Sequence, residues 1–179
     1  MGSFLFAMLT VLIIGLGARD QLLVADLTKR QGPRPGILLV ALLAAGISAA
    51  AAGWLGAVTA PLLAPRARTL LVAMVLGLAA LELLLIRPRR TGAEPTHSLG
   101  AFAAVLLAQQ LTDAARLVVF ALAAASAVPV LAAIGGALGG GLSVLAGWLA
   151  GPSLRGLPLV TARRVLGVGL AAIAVWLAI

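Results

Sequence analysis

Six stretches of this chain are apolar over about the length of a membrane-crossing helix: roughly 3–28, 37–60, 69–87, 99–124, 129–150 and 159–178. A hydrocarbon core of about 30 Å is crossed by about 20 helical residues. Inside it a backbone satisfies its own hydrogen bonds only as a helix or a closed barrel. The six runs show no strand-like alternation, so helices are predicted and a barrel is not. The nine prolines fall at or near the ends of the runs, where a residue that breaks helix interiors is tolerated. The predicted fold class is therefore an all-α membrane protein with six transmembrane helices. Composition agrees: 63% of the residues are hydrophobic and 10% charged, against about half and about a quarter in soluble domains.

Charge placement predicts topology. The net charge of +8 does not point to nucleic acid, because the basic residues sit in short linkers rather than along one face. Nine of them, Lys29, Arg30, Arg34, Arg87, Arg89, Arg90, Arg155, Arg163 and Arg164, fall in the odd-numbered linkers, against Arg66 and Arg68 in the even-numbered ones. An excess of Lys and Arg marks cytoplasmic loops. Both termini are thus predicted outside and the central linker inside, in the plasma (inner) membrane. The N-terminus lacks the basic region of a cleaved signal peptide. Cysteine is absent and His97 is the one histidine, so no thiolate or multi-histidine metal centre is expected within one chain. His97 reads as a solvated linker residue. No phosphate loop, H-E-x-x-H or nucleophile elbow occurs, so no enzyme is expected.

The halves resemble each other. AGWLG at Ala52 to Gly56 returns as AGWLA at Ala146 to Ala150, Ser48 matches Ser143, and Arg66 with Arg68 matches Arg163 with Arg164. Three helices per half invert the second copy relative to the first. This 3+3 inverted repeat divides the chain into a first repeat over 1–90, a cytoplasmic linker over 91–98 and a second repeat over 99–179. Transporters of this plan bind at the repeat interface near the midplane. Gly135 with Gly139, and Gly136 with Gly140, are small-xxx-small pairs. They read as packing within one chain, with a homodimer through the same face left open. Trp54, Trp148 and Trp176 read as interfacial anchors.

Two runs carry polar residues at mid-length. LLAQQLTDAAR, Leu106 to Arg116, contains Gln109, Gln110, Thr112, Asp113 and Arg116; GLGARDQLL, Gly15 to Leu23, contains Arg19, Asp20 and Gln21. Ionisable groups at such depth are costly and mark functional sites by default. Matching breaks in two halves are the best sequence pointer to a transport site. Asp26 reads as paired with Lys29 or Arg30, and Glu82 as reaching a linker arginine.

With these residues in view, the chain resembles the Golgi calcium/manganese–proton exchangers and their bacterial and chloroplast relatives, in the lysine-exporter superfamily. The resemblance spans nearly the whole chain and is strongest over LLAQQLTDAARLVVFALAAAS, VLAAIGGALGGGLSVLAGWLAG and RRVLGVGLAAIAVWLAI. Members carry E-x-G-D-[KR]-[TS]-Q in the first helix of each half. In the first half Gly17, Arg19 and Gln21 match, while Gly15, Ala18 and Asp20 replace the glutamate, aspartate and hydroxyl residue. In the second half Asp113 alone matches; Gln110 takes the glutamate position, Thr112 the glycine and Arg116 the glutamine. The resemblance implies an inverted repeat of six helices and a divergent cation:proton exchanger. Mn²⁺ or Ca²⁺ would be its cargo and a lipid bilayer its surroundings, with no resident cofactor.

Hard dications want several oxygen ligands, carboxylates among them. Arg19, Asp20, Asp113 and Arg116 are together neutral, which makes this an altered site. One arrangement pairs Asp20 with Arg116 and Asp113 with Arg19 as crossed salt bridges, or Asp113 with Arg116 along one helix. That describes a non-transporting scaffold or assembly protein. Another makes Asp113 the proton-linked carboxylate and metal ligand, with Gln21, Gln109, Gln110 and Thr112 as neutral oxygen ligands. A third uses Arg19 and Asp113 to hold an amino-acid-like solute for export.

Overall fold

The computed structural model describes residues 2–86 and 98–179, apart from the side chains of Pro152 and Arg155. Linker residues Arg87, Arg89, Arg90, Glu94 and His97, and the repeat boundary placed at 90–91, lie outside the described residues. The eight helices described are α1 (Gly2–Ile14), α2 (Arg19–Gln31), α3 (Pro35–Thr59), α4 (Pro65–Leu85), α5 (Leu99–Leu111), α6 (Ala114–Ala125), α7 (Pro129–Ala150) and α8 (Leu159–Ala178). No strand occurs among the described residues. Proline opens α3, α4 and α7, at a position whose missing N–H has no partner in a helix anyway.

Helices α3, α4, α7 and α8 are each long and apolar enough to cross a bilayer. The first and fourth predicted spans are not continuous helices. Each is a pair of 13- or 12-residue helices, α1 with α2 and α5 with α6, bent by 60° and 56° at its polar stretch. Counting each bent pair as one span gives up to six crossings. Several apolar helices, with Leu39, Met74, Val165 and Trp176 each at least 60% exposed on the rim, mark a membrane protein. In water such a belt would be a large apolar patch.

Helix α3 packs along α7, α4 along α8 and α1 along α7, while α6 lies against α3, α4 and α7. Small residues permit this. A Cβ at Gly135 or Gly139 would collide with the main-chain oxygens of Phe4 or Met8 in α1, and one at Gly136 with Val119 in α6. Both glycine pairs are therefore covered from within the chain. Helix α8 is peripheral, with only 17% of its apolar window buried. Trp54 and Trp176 face outward, whereas Trp148 is half-buried against Val24, Phe102 and Leu106.

Candidate functional site

The two breaks are made differently. In the first, Gly17 takes φ +71°, in the left-handed region that glycine enters without strain. Its N–H donates to Gln21 Oε1 at 2.7 Å. In the second, without a glycine, Thr112 ends α5 and Asp113 turns extended as the N-cap of α6. Each break leaves helix ends whose peptide groups lack intrahelical partners.

Around them lies a buried polar chain. Asp20, in the first turn of α2, accepts from its neighbour's amide, Gln21 N, at 2.7 Å and from Gln110 Nε2 at 3.0 Å. Ser48 Oγ, from α3, donates to Gln110 Oε1 at 3.0 Å. Arg116 Nε donates to the same Ser48 oxygen at 2.9 Å. Asp20 and Arg116 are thus joined through two neutral side chains, not by the direct ion pair expected. A matching set lies on the other half. Ser143 Oγ, from α7, donates to Gly15 O at 3.0 Å, and Gln21 Nε2 donates to Ser143 O at 3.0 Å.

The second crossed pair does not form either. Arg19 Nη2 reaches Thr112 Oγ1 at 3.5 Å and Glu82 Oε1 at 3.9 Å. Glu82, on α4, is gripped by Arg163 Nη2 of α8 at 2.9 and 3.0 Å, both residues buried. Arg163 is therefore a buried ion-pair partner, not a solvated linker charge, and Glu82 does reach an arginine assigned to a linker.

That leaves Asp113. Its side chain is buried, yet neither carboxylate oxygen has a hydrogen-bond partner, and it pairs with neither Arg19 nor Arg116. It does not cap α6, although its main-chain oxygen accepts from the amides of Arg116 and Leu117. Asp20, Glu82, Arg116 and Arg163 are the charges acting on it. Gln109 is half-buried with an unpartnered Oε1, and Thr112 is exposed. A cavity of about 190 Å³ opens beside Arg116, lined by Ala52, Leu55, Val75, Leu111, Leu117 and Phe120.

Every residue picked from the two polar stretches thus lies at the breaks. Ser48, Glu82 and Arg163 join them without having been picked. Ser48 was visible only as a repeat match, and Glu82 as a lone acid in an apolar run. No group of three acidic, histidine or cysteine residues fit to hold a metal occurs among the described residues. No protein-family model matches this chain, and no curated protein or solved structure matches it either.

Proposed function

We propose that this chain is a proton-linked secondary transporter that binds at its two helix breaks, with Asp113 occupied in turn by a proton and by the transported species. The observation that carries this reading is the Asp113 carboxylate, buried at a break with both oxygens unbonded. A buried charge without a partner costs several kcal/mol by order of magnitude, so this position needs a ligand. Asp20 and Glu82 already have their N–H donors.

An inverted repeat is supported by the serines. Gly15 and Gln110, Gln21 and Arg116, and Ser48 and Ser143 are each 95 residues apart. Ser48 bonds Gln110 and Arg116, while Ser143 bonds Gly15 and Gln21. Each half's serine thus engages the equivalent positions of the other half's broken helix. Discontinuous helices at mid-span, with half-helix ends facing a shared site, belong to this transporter plan. The linker charges favour termini outside.

Of the cargo classes implied by the resemblance, Mn²⁺ and Ca²⁺ are the less well served, because one free carboxylate offsets one positive charge. A proton exchanged against a singly charged or neutral solute fits better. The Asp20–Gln110–Ser48–Arg116 chain favours the non-transporting scaffold as a second reading, since it is neutral and self-contained.

The test is flux in proteoliposomes under an imposed pH gradient, screening Mn²⁺, Ca²⁺, monovalent cations and amino acids, with Asp113→Asn in parallel. Gradient-driven flux that Asp113→Asn abolishes, with the variant folded, is expected. Flux unchanged in Asp113→Asn would overturn the assignment, and no flux for any solute would favour the scaffold.

A further inference from the structure

The charged groups at the breaks differ in how they are held. Asp20, Glu82, Asp113, Arg116 and Arg163 are all buried, at 2–7% exposure. The Arg19 side chain alone is substantially exposed, at 32%. It is also loosely tied, at 3.9 Å from Glu82 and 3.5 Å from Thr112, with Nε unpartnered. Thr112, which it touches, directly precedes Asp113. Through these contacts Arg19 links the start of α2 to α4 and to the α5–α6 break. Arg163 ties α4 to α8 through both oxygens of the same carboxylate.

The geometry points to Arg19 as a latch that closes one of the entries to Asp113, with Glu82 as its catch and Arg163 as the fixed anchor of that catch. Glu82 lies three residues from the end of α4, and Arg163 lies four residues past the first residue of α8. In a six-crossing chain both ends meet the face that carries the 32–34 turn, so this is the face the latch closes. A half-exposed ion pair at long range is worth about 1 kcal/mol or less. Such a contact can open without unfolding anything, whereas the buried Glu82–Arg163 pair cannot. The inference uses the transporter reading only in taking Asp113 as the inner end of a water path.

The chain has no cysteine, so Asp113→Cys supplies a single reporter thiol in the full-length protein. Its rate of modification by a membrane-impermeant thiol reagent is measured in vesicles of each orientation, without any substrate. Adding Arg19→Ala, or Arg19→Gln if the alanine variant fails to fold, is expected to speed modification about three- to fivefold, the loss of an ion pair of about 1 kcal/mol or a little less. The acceleration is expected only from the face with the 32–34 turn. Arg19→Lys, which keeps the charge, is expected to stay near the parent rate. A change below about twofold, or equal acceleration from both faces, would overturn the latch. Since no solute is used, a latch without flux and flux without a latch give separate results.

Discussion

Ser48 and Ser143 each bond one of the two broken helices, yet their hydroxyls carry different loads, and removing them should show it. Both are buried, at 0% and 2% exposure. Ser48→Ala takes the acceptor from Arg116 Nε and the donor from Gln110 Oε1. A hydrogen bond to a charged group is worth about 1.5–3 kcal/mol and a neutral one about 1 kcal/mol. The expected loss is therefore about 2.5–4 kcal/mol. Ser143→Ala removes only the bond to Gly15 O, because Gln21 bonds the main-chain oxygen of Ser143, which survives. Its expected loss is about 1 kcal/mol. For a chain of this size each kcal/mol moves the midpoint by about 2–4 °C. Thermal unfolding in detergent, followed by tryptophan fluorescence, should thus separate the two variants by about 3–12 °C. Equal shifts, or a larger loss from Ser143→Ala, would refute the hydrogen-bonded chain from Asp20 to Arg116.

Glu82→Gln or Arg163→Gln alone should cost about 3–5 kcal/mol by stranding a buried charge, while Glu82→Leu with Arg163→Met should return to within about 1 kcal/mol of the parent; a double variant as unstable as the sum of the singles would contradict the pair, read from the same melting curves. Gly139→Ala should cost about 1–3 kcal/mol, because the added methyl meets the Met8 carbonyl of α1 and overpacking of this kind has that cost; Gly46→Ala, with open space around it, is the control. Gln110→Glu sets a carboxylate where Gln110 Nε2 now donates to Asp20 at 3.0 Å. Two facing carboxylates need a proton or a cation between them, so this variant, unlike the parent, should gain thermal stability on adding Mn²⁺, measured as a midpoint shift that grows with metal concentration.

The bundle was legible because its signals are long and uniform. Runs near 20 apolar residues and prolines at their ends located α7 and α8 to the residue and α3 and α4 to within four. The polar stretches at 15–23 and 106–116 were legible as interruptions, but not as bends, since charge in an apolar run does not say whether the backbone breaks. Partner choice was the least legible. Charge alone favours Asp20 with Arg116 and Asp113 with Arg19. The packing of α3 instead sets Ser48 between Gln110 and Arg116, and that of α4 and α8 sets Glu82 where Arg163 and Arg19 both reach it. Such choices depend on which helix faces which, and Glu82 and Arg163 stand 81 positions apart.

Charge balance at the breaks couples the two proposals. Three carboxylates and three guanidiniums gather there, formally neutral. Asp20 and Arg116 are bridged by Gln110 and Ser48, and a bonded chain of this kind polarises along its length. Glu82 and Arg163 are in contact. Asp113 is left without a partner, because the Arg19 guanidinium reaches Glu82 and Thr112 instead. An ionised Asp113 feels Asp20, Glu82, Arg116 and Arg163, two charges of each sign, so none of them is left over to balance it. Of the three guanidiniums two are locked by buried bonds, while Arg19 is held only by its loose contacts with Glu82 and Thr112, so it is the one that can move. The carboxylate that needs a ligand and the guanidinium that can move are thus both what the bonding of the other four groups leaves over, and because the latch is tied to Glu82 and Thr112 rather than to Asp113, it is still closed in Asp113→Cys.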